Sequence, residues 1–190
     1  RRRHTRLLTV TGVQTCALPI CYSNSASGAR TFIGGGKSNT ASGTNATIGG
    51  GIGNTASGAC SSILGGCSNT ASGAYSVVAG GELNLACNSR AFVGAGLYNC
   101  ATAAQSGVVS GCGNTASGNY SFVGGGHQNT ASGCRSFVGG GINNLASGNC
   151  SFVGGGQLNC ATGGLSTAVG GYSSRASGPY SSLLGGYNLT

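Results

Sequence analysis

Several short stretches of this chain imitate chemistry. GGGKSN, Gly34 to Asn39, resembles the end of a phosphate-binding loop, whose backbone amides cradle phosphates while the lysine neutralises them. The full motif needs a glycine five residues before Gly36, and Thr31 stands there. GIGNTA from Gly51 imitates a dinucleotide fingerprint, but no strand–helix unit and no downstream acid follow. General acid–base catalysis needs a positioned acid or base with a partner. Glu82 is the only acidic side chain, and the two histidines are His4 and His127. From Cys21 onward the cysteines are Cys21, Cys60, Cys67, Cys87, Cys100, Cys112, Cys134, Cys150 and Cys160. They form no C-x-x-C pair, so neither a zinc site nor a disulfide framework is expected. Cys134 and Cys150, nearly one repeat apart, are the pair closest to meeting. The chain reads as a non-enzyme with no cofactor and no metal.

What positions these residues is a repeat. Alanine recurs every fifteen residues from Ala26 to Ala176, and glycine does so from Gly36 to Gly186. Asparagine holds a third register from Asn24 to Asn159, where Ser174 ends it. The unit is S-F-V-G-G-G-x-x-N-T-A-S-G-x-x, with Ser121 to Arg135 as one example. Fifteen residues are too few for a strand, a helix and their turns, but enough for one coil of a narrow solenoid. The expected fold is all-β: a parallel β-roll or β-solenoid of about eleven coils with two short strands each, SFVG and NTAS. At the ~4.8 Å strand spacing this makes a rod roughly 50 Å long.

Each repeated position has a physical task. An alanine never replaced by anything larger implies a space that admits one methyl group, inside the coil. Opposite it stand the branched residues Ile33, Ile48, Val78, Val123 and their equivalents. Asparagine amides at a corner can bond backbone groups and the adjacent coil. Glycine pairs such as Gly125 and Gly126 supply positive φ at one corner, and Gly133 and its equivalents supply it at the other. By strand alternation Phe32, Phe92, Phe122, Phe137 and Phe152 face outward and form a candidate homo-oligomer interface, with the opposite parity as the alternative. The variable corners are candidate contact edges: Tyr75, Arg90, Tyr120, Arg135 and Tyr180 on one, His127 and Tyr172 with Lys37 and Glu82 on the other.

The net charge of +8 is concentrated at the start, where Arg1, Arg2, Arg3 and Arg6 lie. From Cys21 onward five basic residues against one acid leave +4, too thin to attract nucleic acid. No apolar run reaches the ~20 residues of a membrane helix, so direct membrane insertion is not expected. RRRHTRLLTVTGVQTCALPI, residues 1–20, has none of the periodicity that follows, and Thr11 to Ile20 resembles a translated sequencing-adaptor read. Residues 1–20 are therefore read as a non-native or disordered leader, and 21–190 as the repeat domain.

Ser121, Phe122, Val123 and Gly125 in one strand, then Ala131 and Gly133 around the other, resemble the head repeats of trimeric autotransporter adhesins, the YadA-like head. The match recurs from about Cys21 to Tyr187, and each unit carries an extra glycine at the corner and asparagine where that family often has alanine. The resemblance implies a left-handed parallel roll, three chains to a rod, displayed at a cell surface and anchored by parts outside this chain. It implies attachment to a host or cell-surface macromolecule, with this chain as a fragment of a longer one. Two other readings share the architecture. One is a viral or phage fibre shaft. The other is an ice-binding solenoid whose Thr-Ala-Ser ladder, as at Thr40, Ala41 and Ser42, orders water.

Overall fold

A computed structural model describes residues 21–190, and the leader, with Cys16 and His4, lies outside the described residues. The chain winds into a parallel β-solenoid. One eleven-stranded sheet runs from Phe32–Ile33 to Ser182–Leu183, and a second runs from Ser25–Ala26 to Arg175–Ala176. Each strand pairs in parallel with the strand fifteen residues away, as in Phe122 with Phe137 and Ala116 with Ala131. The expected architecture of about eleven coils holds.

The coil also has a third line of pairing that the repeat did not announce. Cys21–Tyr22 pairs with Gly36–Lys37, and single-residue parallel bridges continue from Lys37 through Ile52 to Tyr187. His127 N–H, for example, donates to the Gly141 carbonyl at 2.9 Å. Each coil is therefore tied to the next on three sides.

The interior is two columns facing each other. Ala41 to Ala161 are fully buried in one, and Ile48, Ile63 and Val78 to Val153 are fully buried in the other. So thin a core buries little apolar area per coil. The asparagine column adds polar bonding in the same direction. Asn129 Oδ1 accepts from Asn144 N–H at 3.0 Å, while Asn129 Nδ2 donates to the carbonyls of Gly125 at 2.9 Å and Gly141 at 2.8 Å. One side chain thus satisfies three backbone groups spread over two coils, and the pattern recurs from Asn39 to Asn159. Ser174 keeps only part of it: its N–H donates to Asn159 Oδ1 at 3.0 Å, but it has no side-chain amide to donate to the corner carbonyls.

A column of serines behaves differently. The hydroxyls of Ser121, Ser136 and Ser151 are buried without a hydrogen-bond partner, whereas Ser106 at the equivalent place donates to the Ala103 carbonyl at 2.8 Å. Ala46 and Ala91 occupy the same column and are buried too. The space requires a small side chain, not a hydroxyl.

Candidate interaction surfaces

Three residues per coil take left-handed backbone angles, and they build the corners. In the coil of Phe122 these are Gly126 at φ 90°, Gln128 at φ 54° and Arg135 at φ 56°. The expectation that Gly125 and Gly133 supply positive φ is corrected: neither does, and Arg135 carries the left-handed angle of the last corner. Gly133 is glycine for another reason. A Cβ there would land on the Gly148 carbonyl and within 2.6 Å of its carbon, so adjacent coils touch backbone to backbone.

The turn Gly133–Cys134–Arg135–Ser136 closes with Ser136 N–H donating to the Gly133 carbonyl at 3.1 Å. Positive φ at its third residue is the type II pattern. It points the central peptide along the rod, so Arg135 N–H reaches the Asn119 carbonyl of the preceding coil at 2.8 Å. The left-handed angle costs a non-glycine residue about 1 kcal/mol or more, and this bond, worth about 1 kcal/mol net, offsets it.

The candidate edge residues Tyr75, Arg90, Tyr120, Arg135 and Tyr180 all sit at this left-handed position, in one column. Arg90 lies over the Tyr75 ring at 5.5 Å, and Arg135 over the Tyr120 ring at 5.6 Å, both cation–π distances. Tyr180 stands apart, three coils beyond Arg135. His127 and Tyr172 lie on the third ladder with Lys37 and Glu82. Glu82 and His127 are separated by Leu97 and Cys112 on that ladder, three steps of ~4.8 Å. They are too far apart to share a proton. Lys37 Nζ sits 5.7 Å from the Tyr22 ring centroid, and Tyr172 stacks on Tyr187 at 5.2 Å.

The phenylalanines point outward. Phe122, Phe137 and Phe152 stack at centroid distances of 5.7 and 5.5 Å with nearly parallel rings. Phe137 is 36% and Phe152 38% exposed although each has a ring beside it. Phe92 is separated from this stack by Gly107, and Phe32 stands alone beside Thr47. The structure thus brings three of the five together.

Among the cysteines, Cys150 N–H donates to the Cys134 carbonyl at 2.8 Å, and both side chains are free thiols. A pair the spacing hid is Cys87 and Cys100, thirteen residues apart and diagonal on the outer face of the alanine sheet. Burial, then the proximity of Cys87, pushes the Cys100 thiol up from its ordinary pKa. Among the described residues no group of three or more His, Cys, Asp or Glu is placed to hold a metal ion. No helix among them is long and apolar enough to cross a membrane.

No protein-family model matches the chain, and no curated protein matches it.

Proposed function

We propose that this chain is a structural and adhesive rod of a surface-displayed fibre, similar in use to the head of a trimeric autotransporter adhesin. It works as a homo-oligomer, a trimer on that resemblance, and holds contact residues at fixed intervals for a host or cell-surface macromolecule. It performs no catalysis. One observation carries this reading. The left-handed corner column from Arg30 to Tyr180 contains no glycine, in a chain with 40 glycines. Glycine would relieve the strain at every one of these positions. Side chains kept outward at that cost, several of them tyrosine and arginine, are what a contact surface uses.

The test is adhesion itself. Beads coated with the full chain are washed over cultured cells and over surfaces coated with matrix proteins. Retention is expected, and replacing Tyr75, Arg90, Tyr120 and Arg135 by serine is expected to reduce it at least tenfold without changing the far-ultraviolet circular dichroism. Beads that never stay, or that stay equally well with the serine variant, overturn the proposal.

A further inference from the structure

The column of left-handed corner residues holds one arrangement twice. Arg90 lies over the Tyr75 ring at 5.5 Å, and Arg135 over the Tyr120 ring at 5.6 Å. In both, the arginine N–H donates at 2.8 Å to the carbonyl of the residue before the tyrosine, Ala74 or Asn119. All four side chains are exposed. The two stations are three coils apart, so ~14.4 Å separates them along the rod. Between Arg90 and Tyr120 the column carries only the uncharged Gln105.

A ring beneath each guanidinium limits where it can swing, and holding it in place lowers the entropy lost when a partner arrives. The planar edge that remains, with its paired N–H donors, matches a carboxylate. The chain supplies none there: its one acidic side chain, Glu82, lies on the third ladder. One exposed ion pair is worth too little to hold a partner. Two become effective when a single partner reaches both. The interval between the stations then selects the partner's conformation. An extended peptide rises ~3.3 Å per residue and returns to the same face at every second one. Carboxylates four residues apart therefore stand ~13.3 Å apart, within about 1 Å of the interval. An α-helix returns to one face after seven or eleven residues, ~10.5 or ~16.5 Å. Polyproline II does so after three or six, ~9.3 or ~18.6 Å. Each of these misses by about 2 Å or more.

We infer that the twin Tyr–Arg stations bind an extended acidic peptide, with Asp or Glu at every fourth residue, lying along the corner of the rod. This rests on the reading that the corner column is a contact surface, and it names the chemistry of the partner. One carboxylate meets Arg90 and the next meets Arg135. The residue midway between them faces the amide of Gln105 and the ring of Tyr120. No acidic side chain of the column repels such a peptide.

The test uses the full chain under reducing conditions and a fluorescent peptide of four Glu-Thr-Ser-Thr repeats, followed by anisotropy at low salt. Binding is expected, weakening as salt rises. The same residues rearranged to set the glutamates three apart, so that successive ones face opposite ways, are expected to bind at least threefold more weakly. Arg90→Gln and Arg135→Gln are each expected to cost at least threefold in affinity, and the double variant at least tenfold. Glutamine is native to this column at Gln105, with φ 57°, so these variants keep the corner. No binding, binding indifferent to spacing, or binding that survives the double variant overturns the inference. Polygalacturonate bound more tightly than the peptide through the same two arginines overturns it as well, in favour of an acidic polysaccharide. Beads that adhere through these residues while the peptide does not bind sink this inference alone. Peptide binding by a chain whose beads never stay on any surface upholds it and sinks the adhesive reading alone.

Discussion

Two corners of each coil take positive φ, near 83–133° at the first and 56–61° at the third, and answer with opposite residues. At the first, every residue from Gly36 to Gly186 is glycine; at the third, from Arg30 to Tyr180, none is. Backbone angle explains part of this, because the first corner lies beyond the left-handed region that other residues adopt. Clearance adds to it. At Gly126 a Cβ would land on the Gly141 carbonyl and 2.7 Å from Asn129 Nδ2, because the asparagine amide reaches under that corner to bond the next coil. At the third corner the left-handed residue is turned outward, and Arg135 and Tyr120 extend into solvent. Glycine marks where coils must approach, and side chains mark where the rod can afford contact with something else.

The comparison can be broken at three depths. Gly126→Ala should be the most damaging, by about 4 kcal/mol or more, since it combines left-handed strain with a collision that neither neighbour can yield to. Asn129→Ala leaves the corner empty but unpairs the Gly125 and Gly141 carbonyls and the Asn144 N–H, at a cost of about 3 kcal/mol. Both are read by chemical denaturation followed by circular dichroism. Leu165→Gly probes the third corner in the opposite sense. Leu165 holds φ 56° and its N–H bonds the Asn149 carbonyl at 2.8 Å, a bond glycine keeps. Relief of strain, less the greater freedom of glycine in the unfolded chain, should leave the rod as stable as before or more so by up to about 1 kcal/mol. A loss of more than about 1 kcal/mol there would show that the two corners are not different in kind.

Much of this was legible because the chain compares itself with itself eleven times. Ala131 had to face inward since nothing larger ever replaces it, and alternation then sent Phe122 outward. The asparagine column was legible for the same reason. The third ladder was not, because its residues are Lys37, Ile52, Cys67 and Glu82 in turn: the bridge is made by backbone atoms and leaves no preference of type. Gly133 was misread as a conformational glycine because close approach and positive φ select the same residue, and only coordinates separate them. Cys87 and Cys100 were hidden by looking for whole periods, when a diagonal across two coils is two residues short of one. The candidate contact edges were legible as columns, but the stacking of Arg90 on Tyr75 needed the rise between coils.

The fixed register has a consequence for how such a molecule changes length. Strand pairing and the asparagine column both run from one residue to its counterpart fifteen away. Removing one whole unit lets each severed ladder rejoin to an equivalent partner, whereas removing fourteen or sixteen residues sets alanine against serine and glycine against bulk. Length in this rod can thus change without breaking its ladders only in steps of one coil, ~4.8 Å at a time, each step leaving the cross-section as it was.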